Sequence, residues 1–574
     1  EVTVLDPQGP VPAKLLVVGF DPSPPLVNRV SISEAGVFGD IDADSLPYGI
    51  ALVEFIGLDG DGGRIVVEPG EYQLVVSRGP RYSAFKQRVT IGSGQVTAVQ
   101  AEIVRVVDTP GFVHGDFHVH GIDSHDSQVT REDRVAVYLA EGMDFFTPSD
   151  HDVRVDYRDT LEAMGAEGIL GTAPNAETTT YDYGHFNSWP LTVDDAVLNG
   201  GSVDWGREAP PGMDFPQYGS YSLSPAEIFD GLHADPRDNV VQINHIGSHF
   251  GPSGLAIDTG LTPPRSEVDL LDQRLDPSLE NAFSDRFDAL EVWIGTNGRG
   301  GIENGFLDRN AGDWFNLINQ GIVRTGVADS DSHDRRFTRI SARTLIASAE
   351  TAAGELSANA EVLAASVLSG KATGTNAPFI RVTAHGQLQG VAQSAGLGWD
   401  QDRLLPIDTG SPVALQVEVE TAQWAQVDRV EFYLNTQPQR TSAAGEAARY
   451  GICADAVVRR GDPGWISEDV VVDERVSGAV RSVVSVTLTL PGVQEDTWVV
   501  AFARGSDGVS EPLFPVLPAS LDQASNTTLD DLVDGNLGEG GTPAFAFTNP
   551  LFIDSGGDGW TAPGVNNAPC ESPP

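Results

Sequence analysis

The stretch Gly115-Asp116-Phe117-His118-Val119-His120 places two histidines two residues apart. Polar and apolar residues alternate here, which predicts a β-strand over residues 117–120. Alternate residues of a strand project from the same face, so we expect the two imidazoles on one side of a sheet, where both could ligate one metal ion. Two partly buried structural histidines would give the same pattern, and the pair alone leaves both interpretations open.

Histidine is concentrated around this stretch. Ten of the eleven histidines of the 574-residue chain lie between His114 and His333. Imidazole is the commonest metal ligand and acid-base group of proteins at neutral pH. The clustering therefore indicates a functional site in the middle of the chain.

Strand and helix patterns alternate across the same part of the chain. Thr130 precedes an amphipathic segment that ends at Gly142, and Ser224 begins a second helix with a capping box. Alternation of this kind predicts βα units and a parallel sheet or barrel. Apolar strands are predicted at residues 144–147, 168–172, 240–243, 288–293 and 322–327, and a further helix at 306–320.

Further candidate ligands come at or just after the C-terminal ends of predicted strands. In α/β barrels, catalytic groups converge at that edge of the sheet. A common role in one site therefore explains their positions better than separate structural roles. These residues are His151, Glu177, His185, His245, Asp331 and His333.

Eight short motifs occur in order within residues 110–378: Gly115-Asp116-Phe117-His118-Val119-His120, Ser124-His125-Asp126-Ser127, Glu141-Gly142-Met143-Asp144, Ser149-Asp150-His151-Asp152, Glu177, Gly184-His185-Phe186-Asn187, Asn244-His245 and Ser330-Asp331-Ser332-His333. This series resembles the PHP (polymerase and histidinol phosphatase) superfamily. Within it, the chain is similar to the carbaryl-hydrolase-like CehA/McbA family of metallohydrolases.

The resemblance implies a distorted (β/α)7 barrel with two or three divalent metal ions, which would be zinc, manganese or iron. Imidazole and carboxylate ligands without thiolate agree with these metals. His125 is an alternative to its neighbour Asp126 as a ligand. The implied ligands form three groups: His118, His120, Glu177 and Asp331 for the first ion; Glu177, His185 and His245 for the second; Asp126, His151 and His333 for the third.

Three other residues are candidates for catalysis. His249 matches no ligand motif, and it could orient ligands or act as an acid for the leaving group. Arg154 and Arg335 lie beside ligand motifs and could bind an anionic substrate. An arginine paired with the acidic surface would look the same in the sequence.

The flanking residues read as short strands separated by glycine and proline turns. We therefore expect an α/β fold in three domains: an N-terminal β-sandwich-like domain at 1–108, the PHP barrel at 109–378 and a C-terminal β-sandwich-like domain at 379–574. Two long polar segments, 199–223 and 251–285, interrupt the barrel region, and loops of that length are often functional lids.

The composition excludes some classes of function. With 82 acidic and 35 basic residues the net charge is −47, which repels nucleic acid. No apolar run reaches the roughly 18–20 residues of a membrane helix, so no membrane insertion is expected. The chain begins at Glu1 without methionine, and we expect a secreted or periplasmic protein, in which Cys453 and Cys570 could form a disulfide.

The expected activity is hydrolysis by a metal-activated hydroxide at a di- or trinuclear centre. A phosphoesterase acting on small phosphate esters is favoured, because close cations neutralise the charge of a phosphoryl group. A carbamate or carboxylic ester hydrolase is the alternative within the same class. A secreted glycan- or surface-binding protein with a structural metal site is the alternative of another class, although structural metal sites are normally closed.

Overall fold

The computed structural model describes residues 1–20, 48–180, 183–207, 221–250, 257–266, 282–295, 301–335, 342–398, 404–443, 446–505, 513, 516, 527–533 and 542–566. Over these residues the protein is a mixed α/β structure in which strands predominate. Within the described part of the chain, no helix combines the length and apolarity needed to cross a membrane.

The first part of the chain forms two small sheets. Its strands are β1 (Val2–Asp6), β2 (Gly9–Pro10), β3 (Ala13–Val18), β4 (Ile50–Ile56), β5 (Gly70–Ser77), β6 (Phe85–Ile91) and β7 (Val99–Glu102). The four-stranded antiparallel sheet has the order β4-β3-β5-β6, and β1 pairs with β2 and β7. Successive side chains of β3 face opposite sides, so Leu15 and Val17 pack with β1 and β7, whereas Leu16 and Val18 join the core of the C-terminal sheets.

The central part contains the strands that surround the predicted site. Those strands are β8 (Phe112–Asp116), β9 (Phe145–Phe146), β10 (Gly171–Thr172), β11 (Ala176–Thr180), β12 (Gly184–Trp189), β13 (Gly206–Arg207), β14 (Tyr221–Ser222), β15 (Val240–Ile243), β16 (Ile257–Asp258), β17 (Arg265–Ser266), β18 (Ala289–Ile294), β19 (Thr325–Asp329), β20 (Arg343–Ala347) and β21 (Ala372–Thr375).

The predicted helix boundaries at Thr130 and Ser224 are confirmed. The Thr130 hydroxyl accepts a hydrogen bond from the Asp133 backbone N–H, and Ser224 forms a capping box with Glu227. The expected helix at 306–320 is instead a π-helix followed by an α-helix. The α-helices are Arg131–Ala140, Arg158–Ala163, Pro225–His233, Ile246–His249, Ala311–Asn319, Ala353–Ala358, Glu361–Leu368 and Leu529–Val533, with a 3-10 helix at Leu198–Gly201 and the π-helix at Gly301–Asn310.

The C-terminal part is almost entirely β. A five-stranded antiparallel sheet has the order β23-β22-β25-β31-β30, and its side chains share a core with β26 and β32. The strands are β22 (Phe379–Leu388), β23 (Val391–Ala395), β24 (Leu405–Ile407), β25 (Val413–Ala422), β26 (Arg429–Leu434), β27 (Gln439–Arg440), β28 (Tyr450–Gly451), β29 (Ala456–Arg459), β30 (Trp465–Val471), β31 (Val480–Leu490), β32 (Thr497–Arg504), β33 (Phe545–Thr548) and β34 (Leu551–Ser555).

Two sheets carry the central strands. One has five strands in the order β11-β12-β15-β18-β19, and the other has eleven, along β10-β9-β8-β20-β21-β33-β32-β26-β29 with β24 and β34 beside that path. The larger sheet contains strands from both sides of residue 378, the expected domain boundary, because β21 pairs with β33. The expected barrel region and the expected C-terminal domain therefore share a continuous hydrogen-bonded sheet.

The pairing of β12 differs from the expected run of parallel βα units. This strand is antiparallel to both β11 and β15. Only residues 181–183 separate β11 from β12, and a parallel crossover needs a dozen or more residues. The described central strands form two sheets rather than the expected closed (β/α)7 barrel. Single parallel bridges, between Val119 and Ser332 and between His151 and Glu177, connect the two sheets.

Parts of the predicted lids lie outside the described residues. These are positions 208–220 of the first segment and 251–256 and 267–281 of the second. Cys453 is disulfide-bonded. Its predicted partner Cys570 also lies outside the described residues.

Candidate metal centre

The two histidines of the opening motif follow β8 rather than lie within it, because β8 ends at Asp116. Their loop pairs with the loop after β19: the His120 backbone N–H donates to the Ser332 carbonyl at 3.0 Å, and the Asp331 N–H donates to the His118 carbonyl at 2.9 Å. The first and last ligand motifs of the sequence are therefore neighbours in space.

Glu177 on β11 lies at the centre of the cluster and is completely buried. Its Oε1 lies 3.1 Å from His118 Nε2 and 3.3 Å from His185 Nδ1. Its Oε2 lies 2.8 Å from His151 Nδ1. One carboxylate thus faces imidazoles from three different segments of the chain.

Asp331 is a second carboxylate that faces several imidazoles, as Glu177 does. Its Oδ1 lies 3.2 Å from His118 Nε2 and 3.3 Å from His120 Nε2. Its Oδ2 lies 3.6 Å from His245 Nε2. Asp331 has a φ of 49°, in the left-handed region that aspartate tolerates better than most residues.

Asp126 connects the outer histidines. Its Oδ2 lies 3.1 Å from His151 Nε2 and 2.9 Å from His333 Nε2. Burial opposes ionisation of Asp126, but hydrogen bonds from these two imidazoles outweigh it and hold the pKa of the carboxyl well below its usual range. The alternative ligand, His125, has its ring centroid 4.8 Å from that of His151, with the two rings tilted, and it joins none of the ligand groups found in the described residues.

The structure brings together all nine residues expected to bind metal. Within each of four overlapping groups, the candidate ligand atoms lie within 4.8 Å of one another. The grouping is more interwoven than expected, because His118, His120 and His151 each belong to two groups. The groups are His120, Asp126, His151 and His333; His118, His120 and Asp331; His118, Glu177 and His245; and His151, Glu177 and His185.

The donor atoms of the cluster fit divalent metal ions. Among the described residues, His120 Nε2, His185 Nδ1 and Glu177 Oε2 are buried without a hydrogen bond of acceptable geometry. A buried polar atom without a partner costs free energy unless something else satisfies it. Imidazole nitrogens and carboxylate oxygens together are the ligands that zinc, manganese and iron(II) accept.

Comparisons with known proteins add a distant likeness. No family model matches the chain, and no curated protein matches it. Among solved structures, the chain is similar to a two-domain protein from Bacteroides vulgatus ATCC 8482, described as containing a "predicted PHP-like metal-dependent phosphoesterase". The TM-score is 0.31 at 13% identity, over 67% of this chain and 97% of that chain. The geometry of the cluster therefore remains the basis for any functional conclusion.

Glu291, which the sequence analysis did not single out, and Asn244, to which it gave no role, hold the ligands in place. Glu291 on β18 accepts a hydrogen bond from His118 Nδ1 at 2.7 Å and another from the His245 backbone N–H at 2.6 Å. The Asn244 amide donates to Glu177 Oε1 at 2.8 Å. A signal for Glu291 was present, because it is the one charged residue in the otherwise apolar strand Ala289–Ile294.

Two buried aspartates organise the backbone of the ligand loops. Asp116 Oδ1 accepts from the backbone N–H groups of His118 at 3.3 Å and Ser330 at 3.1 Å. Asp150 Oδ1 accepts from the Gly121 N–H at 2.7 Å. Both carboxylates therefore support the loops around the cluster, and neither belongs to a ligand group in the described part.

The predicted anion-binding arginines are engaged elsewhere. Arg154 Nη1 lies 2.6 Å from Asp235 Oδ2. Arg335 lies 3.3 Å from both Glu54 and Asp133. Each arginine therefore pairs with carboxylates, as in the alternative interpretation, although the Arg154–Asp235 pair is largely buried rather than at the surface.

His249 is buried in apolar surroundings. Its Nδ1 donates to the Tyr183 carbonyl at 2.7 Å, and its ring contacts the rings of Phe186 and Phe250. Burial lowers the pKa of His249 to about 4, so the imidazole is neutral at pH 7. Its catalytic role stays a prediction, since no contact with the ligand cluster is described.

Proposed function

We propose that the protein is a metal-dependent hydrolase with a PHP-type site and that it acts on small phosphate esters. One observation carries the proposal: nine histidine, aspartate and glutamate residues, spread from 118 to 333, converge on Glu177, Asp331 and Asp126. Such a concentration of metal-ligand side chains with matched orienting groups has no simpler structural role.

The exposure of the cluster is uneven, which supports a catalytic rather than a purely structural site. The side chains of His118 and His120 are completely buried. Those of His185, His245 and His333 are 27–30% exposed. A site closed on one side and open on the other admits substrate, whereas structural metal sites are normally enclosed by their ligands.

In the proposed site, Glu177 and Asp331 each face several imidazoles and would hold adjacent cations. Divalent ions bound there would polarise the scissile ester and generate a nucleophile from water. Glu291 and Asn244 keep the inner ligands oriented, since their hydrogen bonds leave His118 Nε2 directed at the two central carboxylates.

We further propose that the strands around the ligand cluster form a distorted barrel. The bridge between Val119 and Ser332 and the bridge between His151 and Glu177 join the two central sheets at or next to candidate ligands. A distorted ring of strands around the ligands is the arrangement that the PHP resemblance implies. We also propose export from the cytoplasm, which the disulfide at Cys453 supports because disulfides persist in oxidising compartments.

A substrate panel tests the activity. The full-length protein, loaded with zinc, manganese or iron(II), is assayed with 4-nitrophenyl phosphate, a bis-4-nitrophenyl phosphodiester, a nitrophenyl carbamate and nitrophenyl acetate, with and without chelator. We expect chelator-sensitive hydrolysis of the phosphate esters. Preferential hydrolysis of the carbamate or the acetate would support the ester hydrolase suggested by the CehA/McbA resemblance.

Two variants with a matched control connect activity to the cluster. His118→Ala and Asp331→Ala should each lower the metal content, measured by elemental analysis, and the rate. His385→Ala is the control, because His385 is exposed on β22 and outside the ligand groups. Full metal content in both cluster variants would contradict the proposed site. Full metal content in the unmodified protein without turnover of any ester would favour the alternative function, a glycan- or surface-binding protein with a structural metal site.

A further inference from the structure

Arg309 differs from the other buried or partly buried arginines that the structure describes. Each of the others donates to a carboxylate or to a backbone carbonyl. The Arg309 side chain is partly buried, and its Nε is buried without a hydrogen-bond partner among the described residues. The Nε atoms of Arg78 and Arg154 share this feature, but each of those side chains donates through Nη1. An arginine without an ion pair to a carboxylate is unexpected in a chain with 82 acidic and 35 basic residues.

Arg309 lies close to the helix that follows the candidate ligand His245. It lies in the π-helix Gly301–Asn310, which packs against β18 and against the helix Ile246–His249. The Asn310 amide donates to the Val292 carbonyl at 3.0 Å and holds this end of the π-helix against β18. The π-helix therefore lies next to the segment that begins with the candidate ligand His245.

The contact with Gly247 shows how close the guanidinium comes. A Cβ placed on Gly247 would lie 3.2 Å from Arg309 Nη1 and 3.5 Å from Arg309 Cδ. The absence of a side chain at Gly247 thus leaves room for the guanidinium, two residues beyond His245.

The neighbouring carboxylate, Asp313, interacts electrostatically with Arg309 but forms no ion pair with it. Asp313 is buried and accepts a hydrogen bond from the Thr259 hydroxyl at 2.6 Å. Burial raises the pKa of Asp313 to about 7, so its carboxyl carries less negative charge at neutral pH than an exposed aspartate. Partial burial of a guanidinium without a directly paired anion has a free-energy cost that a bound anion would reduce.

We propose that Arg309 binds the anionic oxygens of the substrate on the His245 side of the metal centre and selects phosphate esters over neutral esters. This inference rests on the proposed function. A guanidinium can donate two parallel hydrogen bonds to a phosphate, which a lysine or an amide cannot reproduce. The earlier candidates Arg154 and Arg335 are held by carboxylates, whereas Arg309 is available for this role.

Phosphate binding is measured directly, by thermal shift, and through its effect on ester hydrolysis. The metal-loaded protein is titrated with inorganic phosphate in a thermal-shift assay, and phosphate inhibition and KM are measured with 4-nitrophenyl phosphate. In Arg309→Gln we expect phosphate binding and KM for the phosphate ester to weaken by about 10- to 100-fold, the usual loss for a hydrogen bond to a charged group. Hydrolysis of nitrophenyl acetate, where present, should be unchanged.

Two further variants separate recognition from structure. Arg309→Lys keeps the charge and should bind phosphate with intermediate affinity. Arg158→Gln is the matched control, since Arg158 is exposed and paired with Asp156, and it should behave like the unmodified protein. Metal content is determined for every variant.

The outcomes distinguish this inference from the proposed function. Equal phosphate binding by the unmodified protein and Arg309→Gln would overturn the inference, whether or not esters are hydrolysed. Loss of bound metal in both Arg309 variants would assign the residue a structural role and would also overturn it. Weakened phosphate binding in metal-loaded Arg309→Gln supports the inference even if no ester is turned over, in which case only the proposed function fails.

Discussion

Nδ1 of His118 donates a hydrogen bond to Oε1 of Glu291 at 2.7 Å, although the two residues are 173 positions apart in the chain. Both side chains are completely buried. The contact places the proton on Nδ1 and leaves Nε2 to face Glu177 and Asp331. Because the other oxygen of Glu291 accepts from the His245 N–H, one carboxylate positions two candidate ligands.

Replacing Glu291 should weaken metal binding without removing a ligand. In Glu291→Gln we expect the affinity of the apo protein for zinc or manganese to fall by about 10- to 100-fold, as is typical for a group that orients a metal ligand. Titration of the chelator-treated protein measures the affinity. Glu132→Gln, at an exposed position of the helix Arg131–Ala140, is the control. Unchanged affinity in Glu291→Gln would show that the contact is dispensable.

Asp331 has two roles that different substitutions should separate. Its φ of 49° favours aspartate or asparagine over alanine, and its carboxylate faces three imidazoles. We expect both Asp331→Asn and Asp331→Ala to lose bound metal. The apo form of Asp331→Ala should also be less stable than that of Asp331→Asn by roughly 1 kcal/mol, the cost of left-handed backbone for an ordinary residue. Elemental analysis and thermal unfolding measure the two effects, and full metal content in Asp331→Asn would contradict the ligand assignment.

The N-terminal sheet is joined to the central region by a buried ion pair. Lys14 Nζ on β3 lies 2.5 Å from Glu141 Oε1, and the two side chains are 3% and 7% exposed. Lys14→Met should destabilise the protein by about 3–5 kcal/mol, because it leaves the Glu141 carboxylate buried without its cation. Thermal unfolding measures the loss.

A double variant and an exposed pair serve as controls for Lys14. Lys14→Met with Glu141→Leu should recover much of the stability, since an apolar pair of similar size avoids the unpaired charge. Arg475→Gln removes an exposed pair with Asp473 and should leave the unfolding temperature unchanged. If Lys14→Met and Arg475→Gln have the same effect, the buried pair does not stabilise the junction.

Asp313 should make stability depend on pH. Burial raises its pKa from 3.8 to about 7, so between these values the folded state keeps a proton that the unfolded state has released. Stability is therefore lost as the pH rises from about 4 to about 7, up to about 4 kcal/mol for a shift of this size. Asp313→Asn keeps an acceptor for the Thr259 hydroxyl and cannot ionise.

Comparison of Asp313→Asn with the unmodified protein tests whether ionisation of Asp313 lowers stability as the pH rises. We expect the difference in unfolding temperature to be small at pH 4 and largest at pH 8, with the variant more stable. Asp258→Asn is the contrasting variant, because the Asp258 carboxylate accepts from the Tyr450 hydroxyl and faces Arg440. It should lose stability at pH 8. A pH-independent difference for Asp313→Asn would contradict the prediction.

Local features of the fold were accessible from sequence because they depend on neighbouring residues. The caps at Thr130 and Ser224 and the strand at Val240–Ile243 depend on side chains within a few positions, and the structure contains all three. The strands β11 and β12 were not predicted, and their antiparallel pairing departs from the expected parallel βα units. The environments of Arg154, Arg335 and His249 were not predictable, because their partners come from distant segments.

The sequence by itself determined the chemistry available to the site: its imidazoles and carboxylates, their order along the chain and their positions after strands. Only the tertiary structure decided which atoms meet. It places Asp126, rather than His125, between His151 and His333, and it places Glu291 within hydrogen-bond distance of His118. It also leaves Arg309 next to Gly247, two residues beyond His245, without an ion pair among the described residues. The physical reason is that a motif specifies side chains over a few residues, whereas distances between segments far apart in the chain depend on how the sheets pack.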